Sequence, residues 1–390
     1  MSAGHVSRDP AGRVAPHLRE LMAYVPGKSA AEIQREHGLS RIVKLASNEN
    51  PLGPSPRAMA AASDAIAEVH RYPDGGAAEL RAALAGRLGV DSQRVLLGNG
   101  SNEILTVLGR ILLKAGDEAV MSEGAFIVYR LATSASGARC VTVPAVEYAH
   151  DLDAMAAAIG PNTRVVFLAN PNNPTGTIFR RDAWERFLAR VPQDVVVVCD
   201  GAYAEYVEDS AYPDALLDLG RHPQMVALRT FSKIHGLAGL RIGYGVGPRW
   251  LVDLFDRVRD PFNLNHLAQV AARAALDDDF HVARSRAANR AGMRFLERVC
   301  RALGVGFVPS QGNFLLIEVG DGRGAFEALL RVGVIVRPVA GYGFPNHVRV
   351  TVGTPEENTA FAAALAALLG RSGASVASLV QPPLAGGPAR

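Results

Sequence analysis

The sequence of 390 residues contains only three cysteines and no long hydrophobic run. Cys140, Cys199 and Cys300 are far apart and never form a C-x-x-C pair, so neither a disulfide framework nor a metal centre is expected. No stretch of 18 apolar residues occurs, and residues 1–16 lack the apolar segment of a secretory signal. These absences predict a cytoplasmic protein with reduced thiols.

The sequence also lacks an excess of either positive or negative charge. Lys and Arg total 41 and Asp and Glu total 38, which gives a formal net charge of +3. Because no dense Lys/Arg block occurs, neither a nucleic acid nor a membrane is expected as a partner. Hydrophobic residues make up 48% of the chain, which excludes a disordered protein, and the length suits two or three domains.

Short apolar runs alternate with helical patterns through the first two thirds of the chain. The runs predicted as strands are 95–97, 119–121, 141–143, 165–168, 195–199, 225–228 and 242–246. Strands that are apolar throughout and separated by helices indicate a mostly parallel sheet covered on both faces. Later runs at 304–308, 314–318, 334–336 and 348–352 follow a helix rich in Arg and Ala, and predict a smaller α+β domain.

Four regions are predicted from these patterns. Residues 1–45 form an N-terminal arm, 46–280 a large domain, and 281–371 a small C-terminal domain. The tail at 372–390 is rich in Pro and Gly, which predicts disorder.

The most informative segment is R-T-F-S-K at residues 229–233, followed by Arg241. Lys233 lies just past a predicted strand in an apolar, Gly-rich context, where desolvation lowers a lysine pKa. A neutral lysine is the amine needed to form a Schiff base. Thr230 and Ser232 supply hydroxyl groups and Arg241 a fixed positive charge, and all three suit a phosphate.

Three other segments follow predicted strands. Asp200, at the carboxyl end of a buried strand, needs a cationic partner, and a protonated pyridine nitrogen is one. Tyr203 and Asn173 are placed to contact a ring oxygen, although D-x-x-Y and N-P-N-N-P-T-G also occur as plain turns. The G-N-G-S-N-E segment at 98–103 opens a predicted helix, whose free N–H groups suit a phosphate. It lacks the glycine spacing of dinucleotide-binding folds and the ending of a P-loop.

In this order, the segments resemble the fold type I aminotransferases that use pyridoxal 5'-phosphate (PLP), from about residue 45 to residue 361. The resemblance implies an α/β large domain with a mostly parallel, seven-stranded sheet covered by helices, and a smaller α+β C-terminal domain. It implies that Lys233 carries PLP and shuttles the proton, and that Asp200 holds the pyridinium proton. The other implied PLP contacts are Asn173 and Tyr203 at the ring hydroxyl, Phe126 on the ring face, and Ser101, Asn102, Thr230, Ser232 and Arg241 at the phosphate.

Further segments look like the histidinol-phosphate aminotransferase subfamily. They are Y-V-P-G-K at 24–28, L-A-S-N-E-N-P-L-G-P at 45–54, R-Y-P-D-G at 71–75, and the segments at 313–314, 333–337 and 348–354. The implied reaction converts histidinol phosphate and 2-oxoglutarate to imidazole acetol phosphate and glutamate, in histidine biosynthesis. Tyr72 would reach the PLP phosphate of another subunit, which implies a homodimer. Arg337 and Arg349 would bind the substrate anions, and Tyr24 and Asn50 would lie near the substrate.

Other functions share parts of this pattern. An aromatic amino-acid aminotransferase would need an apolar side-chain pocket, and a PLP-dependent decarboxylase of a phosphorylated amino acid shares the N-P-T-G, D-x-x-Y and S-K elements. A non-catalytic ligand sensor would need a fused DNA-binding helix, and none is evident in the first 45 residues. The glycine fingerprint that a dinucleotide-binding dehydrogenase needs is absent from this sequence. His235, two residues beyond Lys233, receives no role from the resemblance.

Overall fold

The computed structural model describes residue 12, residues 14–21 and residues 30–371. The predicted tail lies outside these residues, and so do residues 1–11, 13 and 22–29 of the predicted N-terminal arm, Tyr24 among them. The described helices are α1 Pro16–Arg19, α2 Ala30–His37, α3 Pro56–Ala65, α4 Ala78–Leu88, α5 Ser101–Leu112, α6 Ile127–Ala135, α7 Leu152–Ala157, α8 Arg181–Arg190, α9 Arg249–Val258, α10 His266–Leu276, α11 Asp279–Leu303, α12 Gly322–Arg331 and α13 Pro355–Leu368. The described strands are β1 Val43–Lys44, β2 Val95–Gly98, β3 Glu118–Ser122, β4 Arg139–Val143, β5 Thr163–Ala169, β6 Val196–Asp200, β7 Met225–Thr230, β8 Gly243–Val246, β9 Phe307–Val308, β10 Phe314–Glu318, β11 Val334–Ile335, β12 Arg337–Pro338 and β13 His347–Thr351.

A seven-stranded sheet in the order β2-β8-β7-β6-β5-β3-β4 forms the centre of the larger part of the molecule. Strands β4, β3, β5, β6 and β7 are parallel, which confirms the predicted sheet type. Strand β8 runs antiparallel to both β7 and β2, because residues 231–242 return the chain without the crossover that a parallel pair needs. No helix in the described part of the chain is long and apolar enough to cross a membrane.

Helices cover both faces of this sheet, as strand β6 illustrates. All five residues of β6 are buried, and successive side chains point to opposite faces. Val198 packs with α5 and α9 on one face, whereas Val197 packs with Trp184 and Phe187 of α8 on the other. Burial on both faces explains why Val196, Val197 and Val198 follow one another without the polar residues of an alternating strand.

A smaller antiparallel sheet in the order β12-β13-β10-β9 packs against α11, α12 and α13. This agrees with the predicted α+β composition, and α11 begins beside the predicted domain boundary at residue 280. The run predicted at 334–336 forms strand β11 over Val334–Ile335. Val334 and Ile335 pair with β1, and the chain then enters the other sheet at Arg337, because β1 supplies a parallel partner that the pattern could not reveal.

The segment after β1 joins the two sheets. The Leu45 N–H donates to the Ile335 carbonyl at 2.7 Å, and the Leu45 carbonyl accepts from the Thr351 N–H at 2.8 Å. Three residues later, the Asn48 carbonyl accepts from the Asn313 side chain at 3.0 Å. These bonds hold residues 45–48 against the small sheet, and Asn50 connects the segment to the loop beyond β7 through a bond to the Ile234 carbonyl at 2.8 Å.

Candidate active site

A cavity of about 1550 Å³ opens at the carboxyl ends of β5, β6 and β7. Parallel strands that end at one edge bring the residues after them together, and α/β sheets bind ligands at this edge. Twelve of the residues predicted for the site line this cavity. They are Ser101, Asn102, Phe126, Asn173, Asp200, Tyr203, Thr230, Ser232, Lys233, Arg241, Arg337 and Arg349.

Lys233 lies at the centre, half-buried, three residues beyond β7. Its Nζ donates to the Ser47 carbonyl at 3.0 Å and lies 5.7 Å from the Tyr203 ring centroid. Burial lowers the Lys233 pKa from 10.5 to about 7, and the positive charge of Arg349 adds to this effect. The side chain is therefore divided between its neutral and charged forms near neutral pH, as a nucleophilic amine requires.

The carboxylate of Asp200 forms one wall and is only 5% exposed. Its Oδ2 accepts from the Tyr129 hydroxyl at 3.0 Å, and its Oδ1 accepts from the Ala202 N–H at 3.1 Å. Burial raises the Asp200 pKa, whereas the Tyr129 bond, the Ala202 bond and the charge of Arg229 oppose this rise. A buried carboxylate in this state favours a cationic or proton-donating partner in the cavity.

Tyr203 and Asn173 occupy the side of the cavity that faces the small sheet. The Tyr203 hydroxyl accepts from Asn48 Nδ2 at 2.9 Å, and its ring packs edge-on against Phe314 at 5.0 Å between centroids. The Asn173 side-chain oxygen accepts from the Arg349 guanidinium. Burial raises the Tyr203 pKa to about 12, so the phenol is protonated at neutral pH.

The predicted phosphate contacts gather around the N-terminus of α5. Ser232 Oγ accepts from Arg241 Nη1 at 3.4 Å, and the Ser232 N–H donates to Thr230 Oγ1 at 3.1 Å. Gly100, with φ +81°, precedes the helix, and a Cβ there would lie 2.6 Å from Arg241 Nη2. The positive φ and the close guanidinium both favour glycine here, at the helix terminus where Ser101 begins the run of free N–H groups.

Phe126 lies directly before α6 and is half-buried on the cavity wall. Its ring meets the Tyr129 ring edge-on at 5.8 Å between centroids. The partly exposed ring offers an apolar surface on which a flat ligand can stack.

Arg337 and Arg349 are directly opposite each other in the antiparallel pair β12 and β13. Residues opposite each other share a face of the sheet, and both side chains line the cavity. Arg349 is 6% exposed, and its Nη2 donates to the Ala46 carbonyl at 2.7 Å. Two guanidinium groups on one face form a site for an anion such as a carboxylate or a phosphate.

Two predicted residues are placed elsewhere in the described chain. Tyr72 is 82% exposed and stacks on Phe262 at 4.7 Å, away from the cavity of its own chain. Asn50 is buried outside the cavity lining, where its Nδ2 donates to the Ile234 carbonyl at 2.8 Å and to Ser285 Oγ at 2.9 Å. In this structure Asn50 therefore connects α11 to the loop that carries Lys233.

Asn48 and Tyr129 line the cavity without having been singled out in the sequence. Tyr129 is three residues beyond Phe126, the spacing of one helix face, and this was the signal that could have found it. Asn48 belongs to the same S-N-E-N motif as Asn50, but nothing in that motif distinguishes the two asparagines. The distinction depends on Thr351, 303 residues away.

Known proteins resemble this chain in sequence and in structure. The sequence matches the family model described as "Aminotransferase class I and II" over residues 40–365. The chain therefore belongs to the class I and II aminotransferase family.

Within that family, the similar proteins share a more particular name. A Pseudomonas aeruginosa protein named histidinol-phosphate aminotransferase 2 is 53% identical over 91% of this chain and 97% of its own length. The histidinol-phosphate aminotransferase of an Anaeromyxobacter species is 50% identical over 92% and 99%. The crystal structure of histidinol-phosphate aminotransferase from Sinorhizobium meliloti in complex with pyridoxal-5'-phosphate superposes with a TM-score of 0.82 at 27% identity, over 92% of this chain and 97% of the other.

The lowered pKa of Lys233 leads to a prediction for the cofactor-free protein. A dilute amine-reactive acylating reagent modifies only the neutral form of a lysine. The rate of acylation at Lys233 should therefore rise with pH around an inflection near 7. Peptide mass spectrometry measures the modified fraction, with the exposed Lys114 as reference in the same samples. The Arg349→Gln variant should move the inflection upward, because it removes a positive charge that favours the neutral amine. An inflection at the ordinary lysine value of 10.5 in the unmodified sequence would contradict the prediction.

Proposed function

We propose that this chain is a PLP-dependent aminotransferase that converts histidinol phosphate and 2-oxoglutarate to imidazole acetol phosphate and glutamate. The observation that carries the proposal is the amine of Lys233, held between the Asp200 carboxylate and a pair of arginines in one cavity. The names of the relatives at 53% and 50% identity support this substrate, and so does family membership. The reaction belongs to histidine biosynthesis.

The residues present suit PLP. Lys233 would hold its aldehyde carbon, and Asp200 its ring nitrogen. Asn173 and Tyr203 would contact the ring hydroxyl, and Phe126 would cover one ring face. The phosphate would be bound by the Ser101 and Asn102 N–H groups together with Thr230, Ser232 and Arg241. Support comes from the chemistry of the set, since a buried carboxylate and a cluster of phosphate donors line the same cavity.

When bound, PLP supplies an electron sink for the substrate carbon that loses its proton. The Lys233 amine then acts as a general base at the substrate Cα and returns the proton as a general acid. Its pKa near 7 suits both roles, because each form is populated at neutral pH. Asp200 keeps the proton on the ring nitrogen, and the Tyr129 hydrogen bond orients its carboxylate.

Arg337 and Arg349 would bind the anionic groups of both substrates in turn. The face of the sheet that they share presents two guanidinium groups. A planar guanidinium pairs with either a carboxylate or a phosphate. The contacts of Tyr24 and Asn50 with the substrate remain predictions. A cytoplasmic location is part of the same proposal, and the free thiols of Cys140, Cys199 and Cys300 support it.

The first prediction concerns the reaction chemistry. Asp200→Ala removes the group that holds the ring proton, so we expect turnover to fall on the order of 10³-fold or more. Lys233→Ala should abolish turnover and the absorbance of the lysine-bound cofactor. Stopped-flow spectroscopy with histidinol phosphate measures both. Near-normal turnover in either variant would remove that residue from the mechanism, provided that circular dichroism shows a folded protein.

A second prediction concerns the substrate. Arg337→Ala should lower kcat/KM for histidinol phosphate by about 10- to 100-fold, because a charge-assisted hydrogen bond to the phosphate is lost. The kcat/KM for phenylalanine, which has a carboxylate but no phosphate, should fall less. Arg331→Ala, an exposed arginine at the end of α12, is the matched control. If phenylalanine is the better substrate of the unmodified protein, the chain is an aromatic amino-acid aminotransferase. Release of CO₂ instead of formation of a keto acid would indicate a decarboxylase.

The homodimer is also part of the proposal. The single chain exposes several apolar side chains in the region of α3 and Tyr72, namely Met59, Ile66, Val69 and Phe262. Phe262 adopts φ 56°, a conformation that is rare for a large side chain, and this holds its ring against Tyr72. An exposed apolar region of this kind favours contact with a second copy, which would place Tyr72 at the other subunit's PLP phosphate.

Subunit mixing tests this arrangement. Tyr72→Ala and Lys233→Ala each damage a site, but a hybrid dimer would contain one intact site formed by Lys233 of one chain and Tyr72 of its partner. An equal mixture should therefore recover about a quarter of the wild-type sites once subunits exchange. Activity at limiting PLP and sedimentation velocity measure the outcome. A monomer, or hybrids without recovery, would argue against the shared site.

A further inference from the structure

Asn48 forms four hydrogen bonds and connects three segments of the chain at the cavity. Its N–H donates to Thr351 Oγ1 at 2.9 Å, and its carbonyl accepts from Asn313 Nδ2 at 3.0 Å. Its side chain bonds Tyr203 through Nδ2 at 2.9 Å and Thr351 through Oδ1 at 3.2 Å. The residue is 1% exposed, so these bonds are shielded from water.

The bonds to Thr351 determine which way the Asn48 amide faces. The Thr351 hydroxyl accepts from the Asn48 N–H, and its own hydrogen is directed to the amide oxygen of the same residue. With its oxygen facing Thr351, the amide presents its NH₂ group to Tyr203. The backbone of Asn48 has φ 54°, a left-handed conformation that asparagine tolerates better than most residues.

This orientation determines the role of the Tyr203 hydroxyl. The oxygen accepts a hydrogen from Asn48, so the phenol directs its single hydrogen elsewhere. The Tyr203 side chain lines the cavity at its border with Asn173 and Lys233. The hydrogen is therefore available to a ligand oxygen in the cavity.

We propose that Asn48 is a positioning residue, which makes Tyr203 a hydrogen-bond donor to the ring hydroxyl oxygen of the cofactor. The inference rests on the cofactor part of the proposed function, and it is independent of the substrate. Thr351 contributes only through Asn48, because its hydroxyl fixes the amide.

The sharpest variant is Asn48→Asp. It keeps the shape and suits the left-handed backbone, but a carboxylate cannot donate to Tyr203. The Tyr203 hydrogen would then turn toward the carboxylate and away from the cavity. Thr351→Val and Thr351→Ser form a second, milder pair, since the first removes the hydroxyl and the second retains it.

Calorimetry on the cofactor-free full-length protein measures the effect without catalysis. The two probes are pyridoxamine 5'-phosphate and its analogue without the ring hydroxyl. We expect the unmodified protein to prefer the hydroxylated compound about tenfold, and Asn48→Asp to abolish most of that preference. Thr351→Val should reduce the preference in part, whereas Thr351→Ser should restore it.

The Tyr203→Phe background separates this path from a general effect of the added charge. There, Asn48→Asp should leave the ratio of the two dissociation constants unchanged. An equal loss of preference in that background would overturn the inference, and so would an unaltered ratio in folded Asn48→Asp protein or identical ratios for the two Thr351 variants. Failure of the unmodified protein to bind either compound would overturn the cofactor assignment and this inference together. Binding without transamination of histidinol phosphate would overturn only the proposed substrate.

Discussion

Desolvation of the Lys233 amine is the interaction on which the rest of the site depends. Burial at the end of β7 disfavours the ammonium form, and the nearby guanidinium group of Arg349 disfavours it further. The carboxylates of Glu49 and Asp200 limit this effect. The balance needs both sheets, because Asp200 is the last residue of a strand in the large sheet whereas Arg349 lies in the small one. The chemistry of one side chain therefore requires the two sheets to be held in a defined relation.

Residues 45–50 provide much of that relation. This segment bonds the small sheet through Leu45 and the Lys233 loop through Asn50. Between them, Ser47 accepts from the Lys233 amine and Asn48 bonds Tyr203. In this structure Asn50 connects the Lys233 loop to α11, whereas the resemblance implied a contact with substrate. A short stretch without regular secondary structure therefore contributes directly to the site, since all six of its backbone carbonyl groups accept hydrogen bonds.

The sequence predicts the large sheet and much of the site for physical reasons. A β-branched run such as that of β6 is typical of a doubly covered strand, and its carboxyl end indicates where Asp200 must lie. Pairings across the fold leave no such trace. The split of residues 334–337 between two sheets depends on β1, and the role of Asn48 depends on Thr351. Tyr129 was visible as a helix-face neighbour of Phe126, but its bond to Asp200 required the packed structure.

The opposed arginines of β12 and β13 have a consequence for the stability of the small sheet. Like charges directly across an antiparallel pair weaken it, and a bound dianion neutralises them. Binding of an anion at Arg337 and Arg349 therefore stabilises the folded form of this sheet. The melting temperature should rise as the anion site fills. Inorganic phosphate would meet the same two side chains, so we expect it to protect the protein from thermal unfolding while it competes with the proposed substrate.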